Sequence, residues 1–110
     1  MQEIEIIIES KTDKSEELVR TCQMISDQAL HESGCLKSAV LQDRNNMQWI
    51  FVTQHWAGLD QLNDYFRSNH FTALLGAMSF LARNHQIKIN NGTPEQGELA
   101  VKKARQPVSN

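Results

Sequence analysis

The side chains best equipped for chemistry crowd into one stretch of this chain. Residues 49–82 hold both tryptophans, the only tyrosine and two of the four histidines. His55 and His70 belong to the one side-chain type whose charge ordinarily changes near neutral pH. His55 shares strand parity with Trp49, Phe51 and Thr53, which aims it at the same side of a strand as two aromatic rings. A base beside aromatic walls can deprotonate a phenol, and a phenolate is electron-rich enough to react with O₂ without a metal. A solvated strand-end histidine is the plainer reading of the same position. His70 precedes Phe71 at a helix start. Read structurally, its ring bonds a backbone group there; read functionally, it moves a proton at the mouth of a cavity. Trp56 marks a strand-to-helix corner, where its indole N–H is able to hold a substrate oxygen. The pattern nominates His55, His70 and Tyr65 as proton-handling groups. Trp49, Phe51, Trp56, Asn63 and Phe71 are the nominated substrate contacts. His31 and His85 read as surface residues.

Composition narrows the classes of function. Eleven Lys plus Arg against thirteen Asp plus Glu leave a net charge of −2, so no strongly basic face is expected for a phosphate backbone. An RNA-recognition reading of the same element order fails at residues 48–52, QWIFV, which lack the basic and glycine residues of that motif. No His/Cys/Asp/Glu set has metal spacing, no glycine-rich loop cradles phosphate, and no Ser-His-acid order is visible, so no metal or nucleotide cofactor is expected. No apolar run nears the ~20 residues of a membrane span and no leader opens the chain. Cys22 and Cys35 form neither a CxxC nor a ligand pair and suit a reducing compartment. The expectation is a cytoplasmic protein of one domain.

The elements that must position these residues follow from periodicity. Residues 2–9 alternate Ile4, Ile6 and Ile8 against Glu3, Glu5, Ile7 and Glu9, a strand pattern. Thr12–Asp13, with Glu16 at capping-box spacing, predicts a helix start. Leu18, Cys22, Ile25 and Ala29 then share one helical face, and Ser33–Gly34 supplies the stop. Residues 35–42 read as a second strand, Asp43–Arg44–Asn45–Asn46 as a turn, and residues 47–55 as a third strand that is apolar on both sides. Leu59, Leu62 and Phe66 mark the next helix. A break near Ser68–Asn69 separates it from one carrying Phe71, Leu74, Leu75, Met78 and Leu81. Residues 85–90 form a fourth strand. The order β-α-β-β-α-β, its second helix broken in two, predicts an α+β, ferredoxin-like domain with a four-stranded antiparallel sheet over residues 1–92. Residues 93–110 are expected as a tail, weakly helical over 98–105, that is either mobile or docked on the domain or a partner subunit.

The run VTQHW…LDQLNDYFRSNHFTALLGAM resembles the antibiotic biosynthesis monooxygenase (ABM) domain family, in which a strand ends in a Trp and a short Ser-x-His-Phe step opens a later helix. Here these are Trp56 and Ser68–Asn69–His70–Phe71. The resemblance implies a homodimer whose sheets pack face to face as a dimeric α/β barrel, with a small apolar cavity between sheet and helices. It also implies an activity class: cofactor-independent monooxygenases acting on aromatic or quinol-type molecules. The sequence departs from the family at Gln54–His55, where a Glu often precedes the Trp. It also has no His from Phe71 to Arg83 and no Asn within residues 2–9, which argues against a haem role. Two readings stay open: a small monooxygenase, or a non-catalytic dimer that binds a small ligand.

Overall fold

A computed structural model describes residues 1–107. The elements are β1 (Gln2–Ser10), α1 (Ser15–Ala29), β2 (Cys35–Gln42), β3 (Trp49–Trp56), α2 (Leu59–Arg67), α3 (Asn69–Leu81), β4 (Ala82–Ile89) and α4 (Pro94–Arg105). The strands form one antiparallel sheet in the order β2-β3-β1-β4. This is the expected ferredoxin-like α+β fold with a fourth helix added.

Strict alternation places the core. Ile4, Ile6 and Ile8 of β1 and Ile50, Val52, Gln54 and Trp56 of β3 are all buried on the helix-covered side. The intervening residues form the other side, which no helix among the described residues covers, as antiparallel sheets permit. On α1 the expected face of Leu18, Cys22, Ile25 and Ala29 is buried in full, and Phe71, Leu74 and Met78 supply the inward stripe of α3. The α2–α3 break also falls where expected: the Ser68 hydroxyl accepts from the Phe71 N–H at 3.1 Å and starts a new helix.

Several boundaries differ for local reasons. Helix α1 starts at Ser15, not at Thr12–Asp13, because Asp13 adopts a left-handed turn (φ 66°) and no side-chain cap forms. The Ser10 and Ser15 hydroxyls, 2.6 Å apart, hold the strand-to-helix passage instead. β4 starts at Ala82, since its pairing with β1 runs back to Ser10. Leu59, expected inward, is exposed at the first turn of α2, and Tyr65 takes the inward place.

Residues 94–105 of the expected tail form α4, which packs on β4 and α2; residues 108–110 lie outside the described residues. A reciprocal Thr93–Gln96 capping box and Pro94 begin this helix. Gly97 is required where α4 crosses the sheet edge: a Cβ there would overlap the Ile87 carbonyl oxygen. Among the described residues no helix is long and apolar enough to cross a membrane.

Candidate functional site

The nominated residues divide between the two sides of β3. Trp56, Tyr65 and Phe71 lie on the helix side; Trp49, Phe51 and His55 lie on the uncovered side. A single pocket walled by Trp49, Phe51, Trp56 and Phe71 is therefore not formed. The period of two puts positions 49 and 51 opposite position 56, whatever their shared aromatic character.

At the helix-side corner, Trp56 ends β3 and stacks on Tyr65 of α2 with centroids 4.6 Å apart at 28°. Phe71 of α3 meets Tyr65 edge-on at 5.4 Å and Phe66 at 5.0 Å. All four rings are at most 2% exposed. They pack on one another and leave no exposed ring face at this corner. Offset and edge-to-face contacts of this kind add about 0.5–1.5 kcal/mol per pair beyond area burial.

One polar side chain organises the corner. Gln54 is fully buried on the inward side of β3. Its Oε1 accepts from Trp56 Nε1 at 3.2 Å, and its Nε2 donates to Tyr65 Oη and Ser38 Oγ, both at 3.2 Å. The indole can only donate, so the amide orientation follows from chemistry. Ser38 continues the chain to Ser26 of α1. Among the described residues no buried side-chain polar atom is left without a partner. Burial pushes the Tyr65 phenol up to about 12, the Gln54 hydrogen bond opposing the shift. Burial likewise raises the Cys22 thiol to about 11, so this cysteine is a core residue and not a nucleophile.

His70 lies at the rim of this corner, in the first turn of α3. Its Nδ1 is 2.9 Å from Glu32 Oε1, with both side chains partly exposed. The partner is a carboxylate from the α1–β2 connection and not the backbone group expected for a structural histidine. With Glu32 ionised, Nδ1 carries the hydrogen and Nε2 of the neutral ring is left as a proton acceptor. Asn63 is half-buried on α2 and takes no part in the Gln54 network.

On the uncovered side, His55 stands directly across from Glu3 of β1 and Lys37 of β2, its Nε2 3.7 Å from Glu3 Oε1. With Thr53, Glu5, Lys88 and Asn90 it borders a hollow of about 120 Å³. Trp49, Phe51, Ile7 and the exposed Leu41 make this side apolar toward its middle.

Gln54 and Glu32 escape a reading of the sequence alone. Gln54 carried a signal, a polar residue in phase with Ile50, Val52 and Trp56. Glu32 carried none, being 38 positions from the histidine it holds.

A four-stranded antiparallel sheet covered on one side, with a Trp-capped third strand and a Ser-Asn-His-Phe helix start, defines a ferredoxin-like α+β domain with an aromatic corner. The family model for antibiotic biosynthesis monooxygenase matches residues 1–76, and the chain belongs to that family. A protein from Deinococcus radiodurans, provisionally described as an antibiotic biosynthesis monooxygenase, superposes with a TM-score of 0.77 at 18% identity, over 84% of this chain and 92% of that one. A Nitrosomonas europaea protein with the same provisional description gives 0.76 at 16%, over 84% and 98%. A conserved protein from Methanosarcina mazei gives 0.74 at 22%, over 84% and 92%. At these identities the likeness is one of fold. No match is found among curated proteins.

Proposed function

We propose that this chain is a homodimeric, cofactor-independent monooxygenase of a small phenol or quinol, with His70 as the base. The observation that carries the reading is the His70–Glu32 pair at 2.9 Å on the rim of the Trp56–Tyr65–Phe71 corner. A carboxylate that fixes one ring nitrogen and leaves the other as acceptor is the arrangement of an oriented general base. The reaction needs no outside reductant. His70 Nε2 takes the phenolic proton; the phenolate passes one electron to O₂, and the resulting radicals join at ring carbon. The peroxide loses water, so a phenol bearing a ring C–H plus O₂ gives a quinone plus H₂O. Trp56 and Phe71 would stack on the substrate ring, and Tyr65 would hydrogen-bond its oxygen. Access would come from parting α2 and α3 at Ser68, where the two helices are already discontinuous.

The uncovered side of the sheet is the proposed dimer contact. Trp49 and Phe51 are half-buried there, Leu41 is 58% exposed, and an apolar patch flanked at one end by Glu3, Glu5, Lys37 and Lys88 suits a self-complementary contact. In that arrangement His55 belongs to the interface and not to the reacting corner.

Oxygen uptake by metal-stripped protein with a panel of quinols and naphthols tests the chemistry. His70→Ala should lose 10²-fold or more, as expected for loss of a general base, while His55→Ala should retain most of it. Gln54–His55 stand where family members often carry a Glu before the Trp, and this favours a second reading, a dimer that binds a small aromatic ligand without turnover. Saturable quinol binding with no uptake above the buffer blank would establish it and overturn the first.

A further inference from the structure

A second concavity lies two strands from the aromatic corner and toward the opposite end of the sheet. It is roofed by α4, outside the segment that the family model matches. The helix is firmly anchored. Beyond its capped start and the Gly97 contact, Arg67 donates to the Ala104 carbonyl at 3.4 Å and Arg105 to the Phe66 carbonyl at 2.7 Å. Between α4, β4 and α3 this leaves a cleft of about 720 Å³. That volume suits a small-molecule site.

The lining is amphipathic. Leu75, Ile87 and Val101 give it an apolar floor, and His85, Glu98, Lys102 and Arg105 stand around it. Lys102 and Arg105 are three residues apart on α4 and so share one side of the helix. Glu98 pairs with Lys102 at 3.2 Å. Desolvation lowers the His85 imidazole from its ordinary value, against the opposing pull of Glu98. Two cations against one carboxylate leave a single positive charge in excess beside an apolar surface.

We propose that the α4 cleft binds a small amphipathic monocarboxylate, its apolar body on Leu75, Ile87 and Val101 and its carboxylate against Lys102 and Arg105. One unmatched cation suits a monoanion, and the Glu98 carboxylate disfavours a dianion. Arg105 is prepared for this role, because its bond to the Phe66 carbonyl already fixes the guanidinium. The site is independent of any turnover at the aromatic corner.

Amide NMR titration of the full chain with naphthalene-2-carboxylate, and with its neutral carboxamide as control, reads both affinity and location. The acid should give saturable shifts centred on Ile87, Glu98 and Val101, and the carboxamide should bind about tenfold more weakly, the scale of one charge-assisted hydrogen bond. Lys102→Met should weaken the acid about tenfold and Glu98→Gln should tighten it; both positions are 69% exposed, so the remaining spectrum should hold still. Equal affinity for acid and carboxamide would overturn the proposal. So would shifts centred on the Trp56 indole, or no saturation at millimolar acid.

Discussion

The two sides of β3 are built from the same eight residues to opposite ends. Ile50, Val52, Gln54 and Trp56 are sealed against the helices, while Trp49, Phe51, Thr53 and His55 stay half-exposed. Both sides carry aromatic rings, so hydrophobicity alone does not separate them. Polar satisfaction does. On the sealed side Gln54 answers the indole, the phenol and Ser38 within one subunit. On the other, His55, Glu3 and Lys37 meet only as a loose cross-strand set at the surface. A side that is chemically complete is core; the apolar one still open is the proposed contact.

The sharpest way to break that contrast is Trp56→Ala. Removing a fully buried indole should cost about 3–5 kcal/mol in denaturant unfolding, and a loss below 1 kcal/mol would mean the corner is not sealed. Gln54→Ala should cost about 1–3 kcal/mol, because the Trp56 N–H is then buried without an acceptor. Phe51→Glu tests the other side and should lower urea stability only by the part that depends on protein concentration, the share a partner subunit contributes. It should, however, convert a particle of twice 12.6 kDa into a monomer in light scattering. A wild-type monomer would remove the proposed contact.

Alkaline titration discriminates more finely. Tyr65 is the only tyrosine, so its phenolate absorbance is unambiguous, and its midpoint should lie near 12 and not at the ordinary value of about 10. The folded protein keeps this proton after the unfolded chain has lost it. Stability from these two groups is therefore intact below pH about 9, then falls with Cys22 between about 9 and 11 and with Tyr65 between about 10 and 12. The smallest effect is at the surface, where His55→Gln should change stability by only a few tenths of a kcal/mol.

Much of this was legible in the sequence. Period-two alternation separated the sides of β1 and β3, the i, i+4, i+7 spacing picked out the α1 face, and Ser68 marked the helix break. The family resemblance rested on Trp56 and the Ser-Asn-His-Phe step, and the family model bears it out. What escaped was long-range or conformational. The left-handed turn at Asp13 cancels a capping box of sound spacing. Tyr65 faces inward because Gln54 waits for it across 11 residues. The His70–Glu32 pair exists only once α1 and α3 are side by side.

β2 closes one margin of the sheet, and among the described residues no further strand lies beyond it. A smooth margin flanked by the outward Leu36 and Leu41 would template copy after copy, and contacts of that kind repeat without end. The pairing slips between Cys35 and Lys37, and the slip together with the lysine charge spoils the ladder there. Association by sheet faces under a two-fold axis, by contrast, stops at two. A one-residue irregularity thus disfavours growth of the sheet by edge-to-edge addition of copies.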